Sequence, residues 1–344
     1  VVSPMCQYAA NHGSANDWHL MHYGQLAMGA AGLLLTESTH VSPVGRISPK
    51  CLGLYSDENE AALKRVVDFC KAHGVSALGI QIGHAGRKAS TKPPGDGGGP
   101  LDEAEGPWQA VAPSPLPYAD WPTPEPLDDT GLATVKAEFV DSTRRAARAG
   151  FDLVELHIGH GYLLHQFLSP LSNQRDDGYG GDIDGRMRFP AEVFEAVRAV
   201  WPADKPLGVR VSATDCVDGG LTVKEVIHFC RALKELGCDF VDVTSGGLDP
   251  RQKITVGPGY QVPLAEQVRK AVDMPVWAVG MITEAEQAEA IIAEGRADFV
   301  ALARGIMWDP RWAWHAAHAL GAETAYADRY VRCQPSRWPQ AFRK

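Results

Sequence analysis

Short, continuously apolar runs alternate with amphipathic stretches along most of the chain. Runs that are apolar throughout, with no polar residue at every second position, are typical of parallel strands covered on both faces. We therefore predict eight buried parallel strands, at residues 1–5, 32–36, 75–82, 151–156, 207–211, 240–243, 275–279 and 299–303.

The stretches between the runs have the spacing of helices. Apolar residues recur at helical intervals in 131–149, and the patterns Thr222 to Glu225 and Thr283 to Glu286 predict capping boxes at the start of two later helices. A glycine stands between a helix and the next strand at four places, where a left-handed helix end is expected: Gly74, Gly150, Gly237 and Gly295.

Eight strand–helix units in succession predict one closed (β/α)₈ barrel, a TIM barrel, as a single domain over 1–344. A doubly wound open sheet is the alternative topology. Two insertions interrupt the repeat, 85–127 after the third run and 160–184 after the fourth, and a tail without clear period follows at 324–344. The first insertion is rich in Gly and Pro, so we expect either a lid or a disordered loop.

Composition narrows the class of protein. The 344 residues are 45% hydrophobic and carry a net charge of −9, which argues against nucleic acid or anionic membranes as partners. No apolar stretch is long enough to span a bilayer. Seven scattered cysteines without a C-x-x-C pair suit a reducing cytoplasm. Because the chain begins as if inside a strand, we expect that an upstream segment has been removed or left out.

Polar side chains follow each apolar run. Barrel enzymes place their chemistry at the carboxyl ends of the strands, so these side chains are expected to share one pocket. In chain order, the residues at or just after the ends of the runs are Cys6 and Tyr8, Glu37 and Ser38, Gln81 and His84, His157, Arg210, Ser245 with Gly246, Gly280, and Arg304.

The sharpest local motif lies after the fourth run, where His157, His160 and Tyr162 fall within six residues. One interpretation is a zinc site that also uses His84 or His165, although no carboxylate or cysteine is spaced to complete it. A second is that the histidines only satisfy buried carbonyls. The favoured interpretation is that two imidazole N–H groups hold a carbonyl or nitro oxygen. Tyr162 would then be placed to deliver a proton.

The loops after the seventh and eighth runs indicate a phosphate site. Barrels often bind phosphate there, and here the loops carry Gly280, Ala303 and Arg304 next to a helix predicted to start at Thr283. Arg210 and Gln81 could hold the polar edge of a planar ring. These residues alone do not name the cofactor, because a phosphorylated sugar in an aldolase or isomerase would satisfy the same phosphate site.

The chain resembles the old yellow enzyme family over nearly its full length. The matching motifs are Pro4-Met5-Cys6-Gln7-Tyr8, Gly79 to Lys88, His157 to Pro170, Asn173 to Gly181, Arg186 to Phe189, and Arg304 followed by Asp309-Pro310. Cys6 with Tyr8, and the early Trp18-His19, are similar to the bacterial subclass that includes xenobiotic reductases and thermostable ene-reductases.

The resemblance implies an FMN-dependent ene-reductase that uses NADPH or NADH. Hydride would pass from the flavin to an alkene activated by a carbonyl or nitro group, with His157 and His160 on the activating oxygen, Tyr162 as proton donor and Tyr8 as a further substrate contact. Cys6 would tune flavin reduction. The resemblance further implies FMN contacts from Pro4, Met5, Cys6, Ser38, Gln81, His157, Arg210, Gly246, Gly280, Ala303 and Arg304.

It also implies a homodimer or homotetramer in which a C-terminal aromatic residue, here Trp338, reaches a neighbouring active site. Packing of Trp338 within its own tail is the alternative. The chain departs from the family pattern at Asp182, Gly185, Ser38 and Ala303. Two other functions remain open: a phosphate-binding lyase or isomerase without flavin, which would need a Schiff-base lysine or acid/base carboxylates, and a non-catalytic flavin-binding protein.

Overall fold

The central element is a parallel sheet curled into a barrel. A computed structural model describes residues 1–342, and in it seven strands pair in the order β1-β2-β5-β6-β7-β8-β9. Their bounds are β1 Leu33–His40, β2 Ala77–Gly83, β5 Leu153–Ile158, β6 Leu207–Ser212, β7 Phe240–Thr244, β8 Val276–Val279 and β9 Phe299–Ala301. Two short strands, β3 Val111–Ala112 and β4 Glu125–Pro126, pair separately.

Val2 closes the barrel between the first and last of these strands. Its amide donates to the Leu33 carbonyl at 2.8 Å, and its carbonyl accepts from the Leu35 amide at 3.1 Å. On the other side it forms a parallel bridge with Leu302. The expected strand over 1–5 is therefore wrong in extent, because only Val2 pairs and Pro4 has no amide proton with which to continue a ladder.

Helices follow the strands and cover the outside of the barrel. They are α1 Asp17–Ala27, α2 Asp57–His73, α3 Asp129–Ala149, α4 Leu163–Leu168, α5 Ile183–Arg198, α6 Val223–Glu235, α7 Val262–Arg269, α8 Ala285–Ala293, α9 Arg304–Trp308 and α10 Trp312–Ala319. Short 3₁₀ helices lie at Gly86–Lys88, Pro94–Asp96, Glu103–Glu105, Asp328–Cys333 and Pro339–Phe342. No helix within residues 1–342 is long and apolar enough to cross a membrane.

The predicted helix ends were right in most places. The Thr222 capping box is present at the start of α6, and Gly150 ends α3 at φ 94°. The second capping box is wrong: α8 begins two residues after Thr283, because the Thr283 amide donates to the side chain of Gln287 instead. Gly74 is also not left-handed, since its φ is −91°.

The hydrophobic core around β5 and β6 holds the carboxyl ends of these two strands in place. Strands β5 and β6 are buried along their whole length, and the apolar faces of α3, α5 and α6 pack around them through Phe139, Phe194 and Phe229. Burying a side chain of this size contributes about 1.5–3 kcal/mol, so these strands form a rigid base. The polar residues that end them are therefore held on a fixed support.

The insertion 85–127 is ordered and folds over the carboxyl ends of the strands. Arg87 donates to the carbonyls of Leu116 and Leu248, which ties the insertion to the loop after β7. The Trp108 indole donates to the Val44 carbonyl at 2.9 Å. This segment covers one side of the barrel mouth.

Candidate active site

The strand register brings the main polar residues to one level of the barrel. His157 on β5 is paired with Arg210 on β6, and Arg210 is paired in turn with Asp242 on β7. Ser38 lies on the other side of His157, because a Cβ built on Gly83 would meet Ser38 Oγ at 3.1 Å and His157 Cβ at 3.3 Å. The carboxyl ends of β1, β5 and β6 therefore contribute neighbouring side chains, as parallel strands of a barrel should.

His157 and His160 form a facing pair. Nδ1 of His160 lies 3.3 Å from Nε2 of His157, and the ring centroids are 5.1 Å apart in an edge-to-face arrangement. His160 adopts φ 54°, which is unusual for a residue with a side chain, and its amide donates to Ser212 Oγ at 2.9 Å. The sharp turn after β5 sends His160 back toward His157, so an oxygen atom could contact both rings.

Both imidazoles are neutral at physiological pH. Burial lowers the pKa of His157 and of His160 well below the ordinary value, and the positive charge of Arg210 lowers each of them further. Lys88 adds to the shift at His160. A neutral imidazole donates through one nitrogen only, so the pair is suited to polarise an oxygen by hydrogen bonding and not by full charge.

Cys6, Tyr8 and Tyr162 pack together beside this pair. All three lie against a small apolar cluster that includes Cys51 and Ala85, and the Tyr162 ring centroid is 5.0 Å from that of His157. Burial raises the pKa of Tyr162 well above its ordinary value, so this phenol keeps its proton across the physiological range. Burial likewise raises the pKa of the Cys6 thiol, which is therefore present as a neutral thiol.

A cavity of about 440 Å³ brings His160 and Arg210 together with Gly280, Ala303 and Arg304. Arg304 takes part in no ion pair within residues 1–342. Met281, Ile282, Arg304 and Gly305 line the same cavity, and their backbone amides donate no hydrogen bond in the described part of the chain. A guanidinium next to several free N–H groups is the donor set that a phosphate requires.

Further buried polar side chains lie beside the imidazole pair inside the barrel. Gln81 Nε2 donates to Glu155 Oε1 at 2.8 Å, and Arg210 Nε lies 3.1 Å from Asp242 Oδ2. Burial raises the pKa of Glu155 to about 8 and also raises that of Asp242. The expected partner of Gln81 was a cofactor edge, whereas here its amide nitrogen is held by Glu155.

These features fit a phosphorylated planar cofactor such as the expected FMN. His157 Nδ1 is buried and has no hydrogen-bond partner within residues 1–342, so it can face a polar ring edge. Arg210 adds a buried guanidinium at the same level, and the free amides with Arg304 provide the phosphate site. The protein thus offers polar groups for the ring edge of such a ligand and hydrogen-bond donors for its phosphate.

Other expected residues are not brought to this cavity. Gly246 already uses both of its backbone groups, since its amide donates to the Thr214 carbonyl and its carbonyl accepts from Ser212 Oγ. Trp338 is 56% exposed in the tail and does not line this cavity of its own chain. Pro4 and Met5 lie between the Val2 bridge and Cys6, and neither lines the cavity.

Sequence reasoning missed three residues that support the imidazole pair. His160 Nε2 lies 3.0 Å from Thr244 Oγ1, whose single hydroxyl proton can go to Nε2 or to Gln261 Oε1, also 3.0 Å away. Donation to Nε2 leaves the proton of the neutral His160 ring on Nδ1, the nitrogen that faces His157. Lys88 donates to the His160 carbonyl at 2.9 Å. Lys88 belongs to the motif Gly79 to Lys88, but the residues that it contacts are distant in sequence, so the sequence near Lys88 does not indicate this role.

Metal ligands are not assembled around the histidines. Within residues 1–342, no three His, Cys, Asp or Glu side chains come together in an arrangement that could hold a metal ion. His165, the further ligand considered above, is instead buried against Asp215, with Nε2 3.0 Å from Oδ1. His165 also accepts from the Gly161 amide at 2.9 Å and so supports the turn that carries His160.

Comparison with known proteins gives consistent matches. The model of the NADH:flavin oxidoreductase / NADH oxidase family matches residues 1–323. An NADPH dehydrogenase of Geobacillus thermodenitrificans is 43% identical over 335 residues, which is 96% of this chain and 93% of that protein. An NADPH dehydrogenase of Listeria innocua is 42% identical over 336 residues, with 96% and 94% covered.

Solved structures agree with the fold. Morphinone reductase superimposes with a TM-score of 0.77 at 26% identity and covers 94% of this chain and 86% of its own. A structure of morphinone reductase in complex with tetrahydroNAD gives a TM-score of 0.76 at 25% identity, with 94% and 87% covered. A 2-naphthoyl-CoA reductase, at 23% identity and a TM-score of 0.82, shares the fold over 93% of this chain and 49% of its own.

Proposed function

Because the chain belongs to the NADH:flavin oxidoreductase / NADH oxidase family, we propose that it reduces carbon–carbon double bonds activated by a carbonyl or nitro group. Membership of this family confirms the TIM barrel, and it confirms an oxidoreductase that takes FMN and a nicotinamide reductant. The flavin-free lyase or isomerase and the non-catalytic flavin-binding protein are therefore wrong. The substrate class is the part that we propose.

FMN, when bound, accepts hydride from the nicotinamide and passes it to the alkene. Arg304 and the free amides of Met281, Ile282 and Gly305 would hold its phosphate, since they line one cavity with their donors unused. Arg210 and His157 Nδ1 would face the polar part of its ring system. We propose no phosphate or ring contact from Gly246, whose backbone groups are already bonded.

His157 and His160 would bind the oxygen that activates the alkene. Their facing nitrogens are 3.3 Å apart, so an oxygen placed about 2.7–3.1 Å from each could accept from the pair. Negative charge grows on this oxygen as hydride arrives at the β-carbon. Donors that are already oriented stabilise that charge without reorganisation, which lowers the barrier to reduction.

Tyr162 would donate the proton to the α-carbon. Its ring lies 5.0 Å from that of His157, and its raised pKa keeps the phenol protonated until substrate carbanion character develops. Tyr8 and the neutral Cys6 thiol pack against the same apolar cluster as Tyr162, so they would contact the substrate or the flavin ring from that side. Cys6 would adjust the reduction potential through its dipole, since the thiol carries no charge.

We further propose a cytoplasmic homodimer or homotetramer, with Trp338 reaching a neighbouring active site. The exposure of Trp338, and the absence of disulfides among residues 1–342, support this proposal. The rings of Tyr326 and Tyr330 in the tail pack in tilted arrangements against Trp314, with centroids 4.6 and 6.0 Å away.

The observation that carries the proposal is the facing imidazole pair with a protonated phenol beside it. The experiment is anaerobic turnover of the purified yellow protein. NADPH should bleach the flavin, and cyclohex-2-enone should then restore the colour and yield cyclohexanone in equal amount. Protein that takes up no FMN, or a bleached flavin that cyclohex-2-enone does not reoxidise, would contradict the proposal.

A further inference from the structure

Lys88 connects two loops of the active site. It lies at the end of the 3₁₀ turn Gly86–Lys88, and its ammonium donates to the His160 carbonyl at 2.9 Å and to the Gly247 carbonyl at 2.8 Å. These loops touch closely, because a Cβ on Gly247 would lie 2.5 Å from His160 Cα. Lys88 therefore holds the turn that carries His160 against the loop after β7.

The same ammonium lies between two phenol rings. Nζ is 4.8 Å from the ring centroid of Tyr118 and 5.2 Å from that of Tyr162. Cations are attracted to aromatic faces at such distances, so the position is favourable for a positive charge even before turnover. Tyr162 is the residue proposed above as the proton donor.

No carboxylate neutralises this cation. Within residues 1–342, Lys88 forms no ion pair, and the charged group that shifts its pKa is Arg87, which has the same sign. A desolvated cation without a counter-charge is costly, so it is expected where negative charge appears during function. The group beside it that can become negative is Tyr162, on giving up its proton.

We propose that Lys88 is the charge partner of Tyr162: its ammonium stabilises the phenolate that forms when Tyr162 protonates substrate. The inference rests on the proposed function. In this step the Tyr162 O–H bond breaks, a C–H bond forms at the substrate α-carbon, and the O–H electron pair stays on the phenolate oxygen. Lys88 keeps its protons, and water returns a proton to Tyr162 afterwards.

The charge on Lys88 sets a pH dependence. Burial, with a smaller effect of Arg87, lowers its pKa to about 8. Lys88 is therefore charged below that pH and loses its charge as the pH rises through it. The groups that face it are Arg87, His160, Tyr118 and Tyr162, and none of them changes charge in that range, because the His160 pKa is lowered and the phenol pKa values are raised. Alkene reduction should accordingly slow above about pH 8.

The size of the effect follows from Coulomb attraction near a protein surface. Opposite charges several ångströms apart attract enough to change a rate by about tenfold to a hundredfold. We expect K88Q, which keeps hydrogen-bond donors but no charge, and K88M to slow reoxidation of the reduced flavin by cyclohex-2-enone by this factor. K88R should stay within a few-fold of the wild type, and the alkaline fall near pH 8 should disappear in K88Q.

Controls separate charge from structure. Reduction by NADPH, and reoxidation by ferricyanide, which needs no proton from Tyr162, should be unchanged in K88Q. K92M changes a half-buried lysine of the same segment, paired with Asp102 at 2.7 Å, and should behave as the wild type throughout. If K88M does not fold, K88R and K88Q still compare charged and neutral side chains.

Two results would overturn the inference. One is an unchanged rate with cyclohex-2-enone in K88Q; the other is a rate in K88R as low as that in K88Q, which would mean that the charge of the side chain does not matter. The variant Y162F distinguishes the two proposals. If Y162F reduces the enone normally, the proton donor itself is wrong, whereas slow Y162F with normal K88Q contradicts only the role of Lys88.

Discussion

Replacement of His157 by alanine tests how the imidazole pair contributes to catalysis. His157 is 4% exposed, and it supplies one of the two facing nitrogens that lie 3.3 Å apart. Its removal leaves the substrate oxygen with His160 alone. Loss of one donor to a developing oxyanion costs about 2.7–4 kcal/mol, which corresponds to about 10²–10³ in rate. H157A should therefore slow enone reduction by that factor.

Anaerobic stopped-flow absorbance separates the two half-reactions. In H157A, reoxidation of the reduced flavin by saturating cyclohex-2-enone should fall by about 10²–10³. Reduction by saturating NADPH should fall much less, because hydride transfer to the flavin places no negative charge on an oxygen at the pair. H157N, which keeps an N–H donor near this position, should recover part of the loss.

The matched control is H228A. His228 lies on the exposed face of α6, where it pairs with Asp184 at 2.7 Å, and its replacement should leave both half-reactions unchanged. FMN content and thermal stability of H157A establish that the protein is folded. Equal slowing of both half-reactions, or an enone rate within threefold of the wild type, would refute the assigned role of His157.

Three further predictions concern single side chains of the same site. Y162F should slow reoxidation by the enone while reduction by NADPH stays nearly intact, and equal slowing in stopped-flow would count against Tyr162 as the donor. R304A should weaken FMN binding about tenfold to a hundredfold, because charge-assisted hydrogen bonds are worth about 1.5–3 kcal/mol; fluorescence titration measures this, and an effect no larger than that of the surface variant R144A would disprove a phosphate contact. C6A should shift the flavin reduction potential without abolishing turnover, and an unchanged potential in a dye-coupled titration would mean that Cys6 only packs.

The barrel could be predicted because its signal is local. Apolar runs and helical spacing recur over the whole chain, and seven of the eight expected strands are present with bounds that shift by a few residues. The exception is the first run, where only Val2 pairs and Pro4, which has no amide proton, cannot continue the ladder. The barrel is closed by Val2, which pairs with β1 on one side and with Leu302 on the other. These contacts form only when the whole barrel has folded, so no short segment of sequence indicates them.

Local rules failed where a tertiary contact competed with them. The Thr283 pattern is that of a capping box, but Gln287 takes the Thr283 amide and the helix begins later. At Gly74 the following backbone is held by the Ala27 carbonyl, so an extended conformation replaces the left-handed one. At Gly185, where the chain departs from the family pattern, a Cβ would meet the Gly180 carbonyl oxygen at 2.0 Å, so this backbone arrangement requires glycine.

The residues of the candidate site also differ in how far the sequence could predict them. His157, His160 and Tyr162 could be found because they follow one strand within six residues. Lys88 could not be assigned a role, since its carbonyl partners lie 72 and 159 residues away. Its function depends on two loops that meet only after the barrel has closed.

Oxygen binding by the imidazole pair is tested most directly by a crystal structure of the FMN-loaded enzyme with an unreactive ketone such as cyclohexanone. The quantity to measure is the distance from the ketone oxygen to the two imidazole rings. The ketone oxygen should lie about 3 Å from a ring nitrogen of His157 and from one of His160, with the Tyr162 hydroxyl facing the carbon next to the carbonyl. A ketone whose oxygen contacts neither ring, or imidazoles turned away from the barrel mouth, would contradict this role of the pair.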